Sequence, residues 1–130
     1  MIKTGEHHFT CRVYVEDTDL MGIVYHANYL FFFERARTEM LRDHGLYLTT
    51  MAAYGTYFAI HDIHIKYLRP ARLDDVLTIN TTFERKKSCC LLFKQLMSNQ
   101  LGKVLSEAVV QVVCVNSNLK PKPLPDEFIL

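Results

Sequence analysis

Residues 28–43 carry a helical pattern that is apolar around more of its girth than a single supporting surface can cover. Tyr29, Phe33, Ala36 and Met40 recur at helical spacing, and Leu30, Phe32 and Leu41 widen the stripe. A helix of this kind must be covered on several sides. Asn28 offers an N-cap and Gly45 a C-terminal stop, so the spacing predicts a helix from Asn28 to Asp43.

The remaining segments read as strands. Phe9, Cys11, Val13 and Val15 alternate with Thr10, Arg12 and Tyr14, the pattern of a half-buried strand. Ile63, Ile65 and Tyr67 alternate with Asp62, His64 and Lys66 until Pro70 ends the run. Leu77, Ile79, Thr81 and Phe83 form a third alternating set. Residues 89–97 are apolar on both faces, as in a central strand, and Val104 to Val115 is the longest β-branched run. Asn99 to Gly102 reads as a turn. The segment from Asn116 to Pro125, with Pro121, Pro123 and Pro125, reads as an extended wrap. One apolar helix followed by antiparallel strands is an α+β pattern, and a curved sheet around that helix would hide it. With 130 residues and 49% apolar content, residues 1–130 read as a single domain.

Several function classes drop out. A formal charge of +1 gives no whole-chain field for nucleic acid. The densest apolar run, Tyr29 to Phe33, stops at Glu34, far short of a transmembrane segment. Met1 to Thr10 has no apolar core of the kind a secretory signal needs. Cys11, Cys89, Cys90 and Cys114 read as small hydrophobes in strands, which fits a reducing cytoplasm. Neither C-x-x-C nor H-x-x-x-H occurs, and His61 and His64 point to opposite faces of a strand, so no metal site is expected. The acceptor pattern Asn80-Thr81-Thr82 lies within a strand and is set aside.

The densest polar cluster precedes the helix: Glu16, Asp17, Asp19, His26 and Asn28, with Tyr25 and Tyr29 between. Three carboxylates this close repel if all are buried, so at least one faces water. A helix N-terminus supplies free N–H groups and the positive end of the macrodipole, which together stabilise a developing oxyanion. A carboxylate beside it serves as general base or nucleophile toward an acyl group. The pattern alone does not choose between Asp17 and Asp19, nor between this chemistry and an acidic loop with a capped helix.

The segment Glu16-Asp17-Thr18-Asp19-Leu20-Met21-Gly22-Ile23-Val24-Tyr25-His26-Ala27-Asn28-Tyr29-Leu30 resembles the signature of hotdog-fold acyl-CoA thioesterases. The likeness continues through Phe33 to Glu39, Tyr67 to Leu77 and Arg85 to Ser88. It is strongest to the YbgC-type, Tol-Pal-associated enzymes. The 4-hydroxybenzoyl-CoA thioesterases share the Asp-x-Asp-x-x-Gly core but differ at the His. The resemblance implies an antiparallel sheet wrapped around one long helix, and homodimers or homotetramers with sites at the interface. It makes Asp19 the catalytic carboxylate, the His26 N–H the group that polarises the carbonyl, and Tyr25 and the His26 side chain shapers of the site. It also makes Arg85, Lys86, Lys87 and Ser88 a site for CoA phosphates; by pattern alone they are equally a solvated turn.

The expected function is therefore hydrolysis of acyl-CoA in the cytoplasm, with no cofactor because CoA belongs to the substrate. Two alternatives stand beside it: an aromatic acyl-CoA thioesterase like the 4-hydroxybenzoyl-CoA enzymes, and a non-catalytic module binding acyl-CoA or an acyl carrier protein. Phe31 to Phe33 read as core packing, and Glu34 with Arg37 as a helix-surface or interface pair. Leu20 and Met21 stand where family members carry small residues, a bulk that bears on the acyl pocket.

Overall fold

The computed structural model describes residues 5–128. Met1 to Thr4, the start of the expected polar N-terminus, lie outside these residues. The elements are β1 (His7–Arg12), a 3-10 turn (Val15–Asp17), α1 (Asn28–Asp43), α2 (Leu48–Ala53), β2 (Tyr57–Tyr67), β3 (Val76–Lys87), β4 (Cys90–Ser98), β5 (Val104–Val115) and a last 3-10 turn (Asp126–Phe128). The strands form one antiparallel sheet in the order β1-β3-β4-β5-β2. The α+β expectation holds, and β4 is the central strand.

The sheet's inner face buries Leu77, Ile79, Phe83, Leu91, Phe93, Met97, Val110 and Val112. Against it α1 lays Tyr29, Phe32, Phe33, Ala36 and Met40. The helix bounds match the predicted ones. Gly45 ends it at φ +77, where only glycine is unstrained, and Leu46 N–H bonds back to the Leu41 carbonyl. Arg37 is buried: it donates to Gln95 Oε1 at 2.9 Å and pairs with Glu34. Gln95 Nε2 in turn donates to the Phe33 carbonyl and to Thr81 Oγ1, both at 3.0 Å. The expected surface pair is thus half of a polar tie between helix and sheet. A buried guanidinium is tolerable only with such partners.

Other expectations need correction. Asn28 does not cap α1. The N-cap is Ala27, which already has helical dihedrals, and the Asn28 amide turns to Asp17 instead. The first strand stops at Arg12: Val13 N–H still bonds the Asp75 carbonyl opposite it, but the Val13 carbonyl accepts from Asp74, whose φ of +71 turns the partner segment away, and Val15 is 73% exposed. Leu30 and Phe31 remain on the open side of α1, at 38% and 57% exposure, so this chain covers only part of the helix. Helix α2 has no counterpart in the sequence reading.

The final segment does wrap. Lys122 N–H bonds the Cys114 carbonyl, Leu124 N–H bonds the Ser88 carbonyl, and Phe128 is fully buried between Phe58 and Phe83. Edge strand β2 is its opposite. It is exposed along nearly all its length, including Tyr57, Ile60, Ile63 and Tyr67, and carries a bulge at His61.

Candidate active site

The loop from Val13 to Ala27 is held at the end of the sheet where β3 begins. Ile23 bridges Arg72, Val24 N–H bonds the Ala71 carbonyl at 2.8 Å, and Asp74 N–H bonds the Val13 carbonyl. Gly22, at φ +74, permits the hairpin that brings Asp19 N–H to the Ile23 carbonyl at 2.9 Å.

This loop separates the two aspartates that the pattern left equal. Asp17 is buried. Its Oδ2 accepts the Tyr14 N–H at 2.8 Å, its Oδ1 accepts the Asn28 amide at 2.9 Å, and its carbonyl accepts the Tyr25 N–H. It fastens the loop to the start of α1. Asp19 accepts only the Met21 N–H at Oδ1, 2.8 Å away. Its second oxygen has no protein donor among the described residues, and its side chain lines a cleft of about 440 Å³.

Ile23, His26, Tyr29, Tyr67, Leu68 and Pro70 also line that cleft. The backbone N–H of His26, two residues before α1, meets no protein acceptor among the described residues. It therefore presents a free donor at the positive end of a 16-residue helix. Tyr67 fixes this corner: its hydroxyl donates to the His26 carbonyl at 2.7 Å, and its ring meets Tyr29 edge-on at 4.9 Å. Tyr29 accepts the Ala71 N–H at 3.0 Å. Desolvation pushes both phenols above the ordinary tyrosine range, so both stay protonated at neutral pH. Tyr25 lies outside the cleft. Its half-exposed ring leans on the His26 ring, 4.4 Å between centroids. Neither Tyr29 nor Tyr67 stood out as a site residue from sequence; the signal was the Tyr67-Leu68-Arg69-Pro70 motif.

The basic residues are elsewhere. Arg85, Lys86, Lys87 and Ser88 are exposed at the far end of β3, whose length at about 3.3 Å per residue is roughly 36 Å. Lys86 pairs with Glu84 at 2.9 Å, which holds that carboxyl below its usual range, and Arg85 bonds the Lys87 carbonyl. Within one chain the structure does not bring them to Asp19. Arg69, at the near end, is the exception: it lines the Asp19 cleft and bonds the Val104 carbonyl. Leu20 and Met21 are exposed at the loop tip; Met21 lines the Asp19 cleft and Leu20 does not. A second cavity of about 450 Å³ lies between α1, α2 and the start of β2, lined by Glu34, Leu41, Leu48, Phe58 and Ile60 among others. Among the described residues no group of three or more His, Cys, Asp or Glu side chains is placed to hold a metal ion, and no helix is long and apolar enough to cross a membrane.

Residues 13–129 match the model of the thioesterase-like superfamily. The chain belongs to that superfamily. It is 44% identical over 119 residues to an acyl-CoA thioester hydrolase YbgC of Escherichia coli, covering 91% of this chain and 89% of that one. It is also 44% identical to an acyl-CoA thioesterase YbgC of Haemophilus influenzae, covering 92% and 88% of the two chains. The crystal structure of a probable thioesterase from Bartonella henselae superposes with a TM-score of 0.88 at 39% identity, covering 93% of this chain and all of that one. The superfamily membership and these matches bear out the YbgC-type, hotdog-fold resemblance and the wrapped-helix architecture it implied.

Proposed function

We infer that the protein is an acyl-CoA thioesterase that hydrolyses the thioester to a carboxylic acid and CoA. One observation carries this reading. A carboxylate with an unpartnered oxygen shares a cleft with a free backbone N–H at a helix N-terminus. The thioester carbonyl oxygen accepts the His26 N–H, which gains strength as negative charge develops on that oxygen. Asp19 then acts on the carbonyl carbon, either by direct attack or through a water it deprotonates. The carbon–sulfur bond breaks and CoA leaves as the thiolate, which takes up a proton. In the direct route the bond formed is an Asp19–acyl anhydride, which water then hydrolyses to free acid and carboxylate. Single-turnover hydrolysis in ¹⁸O-water identifies that route by label on the enzyme carboxylate, since the general-base route places label only in the product.

The test follows free thiol from a panel of acyl-CoAs, aliphatic and aromatic, with acyl-carrier-protein thioesters as the second donor. Asp19→Asn should lower kcat by about 10²–10⁴-fold with the fold intact. Native-level turnover by that variant overturns the assignment. Substrate retained without thiol release would instead make the chain a binding module.

The working unit in this reading is a two-fold dimer. Strand β2 is an exposed edge bearing Ile60 and Ile63, and Leu30 and Phe31 lie uncovered on α1. Tyr67, at one end of β2, touches the Asp19 cleft. Tyr57, at the other, pairs with Val115, close to where Cys90 pairs with Val113 behind the basic turn. Antiparallel pairing of β2 with its copy therefore sets the Asp19 end of one protomer against the Arg85–Ser88 end of the other. Substrate phosphates then meet the partner's basic turn, and the acyl group meets the partner's apolar cavity. Mixing Asp19→Asn protein with an Arg85→Glu/Lys86→Glu variant, after dissociation and reassociation, should restore about a quarter of native activity through hybrid dimers. No recovery in hybrids shown to form would rule out a site shared between chains.

A further inference from the structure

The turn between β3 and β4 holds two thiols that the hydrolysis reading does not use. Cys89 Sγ and Cys90 Sγ stand 3.6 Å apart. Cys89 is half-buried and Cys90 is buried at its flank. The turn is fastened on two sides: the Cys89 carbonyl accepts the Cys114 N–H at 2.7 Å, and the Ser88 carbonyl accepts the Leu124 N–H at 2.8 Å. Register adds a third hold, since Cys90 pairs with Lys87 in β3 and Val113 in β5.

That spacing suits one ligand class. Two thiolates held at about 2.3 Å, the usual thiolate bond length to a soft centre, by a pyramidal trivalent atom with bond angles of about 100° stand roughly 3.5 Å apart. The sulfurs are already near that separation on a held backbone. A disulfide suits the site poorly. Adjacent residues have Cα atoms about 3.8 Å apart, short of the roughly 4.4–6.8 Å that disulfides span. The pair therefore stays a dithiol where a more widely spaced pair would oxidise. The other two thiols offer nothing comparable: Cys114 is buried against the Pro123 carbonyl, and Cys11 is pushed up to about 11 by burial.

We propose that Cys89 and Cys90 form a chelating site for soft thiophilic centres, with trivalent arsenicals as the ligand class. The reaction is a condensation. The two S–H groups and an organoarsenic dihydroxide form two As–S bonds and release two waters, and arsenic stays trivalent throughout. Chelation makes the second bond intramolecular, worth about 10²–10⁴-fold in retention over a single thiol.

The probe is phenylarsine oxide added to the intact, reduced protein. The expected product is one arsenic per chain, with two thiols lost to Ellman titration after denaturation. Excess glutathione should not release it, and 1,2-ethanedithiol should. Cys89→Ser and Cys90→Ala should each lose the adduct, while Cys11→Ser and Cys114→Ala should keep it. Circular dichroism checks that the buried Cys90 and Cys114 variants fold, and half-exposed Cys89 decides the matter if either does not. No adduct on the native chain, or an adduct that survives in Cys89→Ser, overturns the proposal. None of these readouts depends on thioester hydrolysis, so loss of that reading leaves this one standing.

Discussion

Where β3 begins, the chain leaves polar groups half-satisfied around an open cleft. Asp19 keeps an oxygen without a donor, and the His26 N–H keeps no acceptor. Where β3 turns into β4, the opposite holds. The Ser88 and Cys89 carbonyls are both taken, and the final segment seals that end with Leu124 and Phe128. An unsatisfied polar group costs stability unless water or a ligand completes it. One end thus keeps reactive groups available, and the other supplies the packing that lets the fold tolerate them.

The contrast can be broken or sharpened by mutation. Asp19→Asn carries the largest expected effect, about 10²–10⁴-fold in kcat, and its melting temperature should stay close to native. Phe128→Ala should do the reverse. Deleting a fully buried ring should cost about 3–5 kcal/mol in denaturant unfolding. Asp17→Asn tests whether the neighbouring carboxylate is structural. Weakening its two accepted bonds should cost about 1–3 kcal/mol, with the kcat loss far below that of Asp19→Asn. Tyr67→Phe is the smallest. Freeing the His26 carbonyl should lower kcat about 2–10-fold with KM little changed, since the ring still packs on Tyr29. A rise in KM alone would place Tyr67 in substrate binding instead.

Helix α1 was legible to the residue because its stripe, its length and Gly45 all agree. Strands β3 to β5 were legible for a similar reason: their buried positions alternate on a covered face. What failed was local competition. Asn28 has the chemistry of a cap, yet Asp17 lies within reach and takes its amide. Val15 continues an alternation that loses its partner strand where the backbone turns at Asp74. Glu34 and Arg37 have surface-pair spacing, but Arg37 falls beneath the sheet, where Gln95 receives it. Helix α2 is one six-residue turn with two β-branched threonines, too short for periodicity to register. At the site, the motif pointed to Asp19 and His26. The exclusion of Asp17 and the clamp by Tyr67 needed three dimensions, because both depend on partners 11 and 41 residues away.

The strand order also has a consequence in time. Strands β3, β4 and β5 form a meander of tight connections, while β1 meets β3 across 64–74 residues and β2 meets β5 across 39–58. Closing long loops is slow, so such strands join late. The last strand to dock along the β5 edge is then β2, the strand that remains open to a second copy. In a dimer joined there, the final folding step of each chain and its encounter with its partner become one kinetic event, and refolding should slow as protein concentration falls.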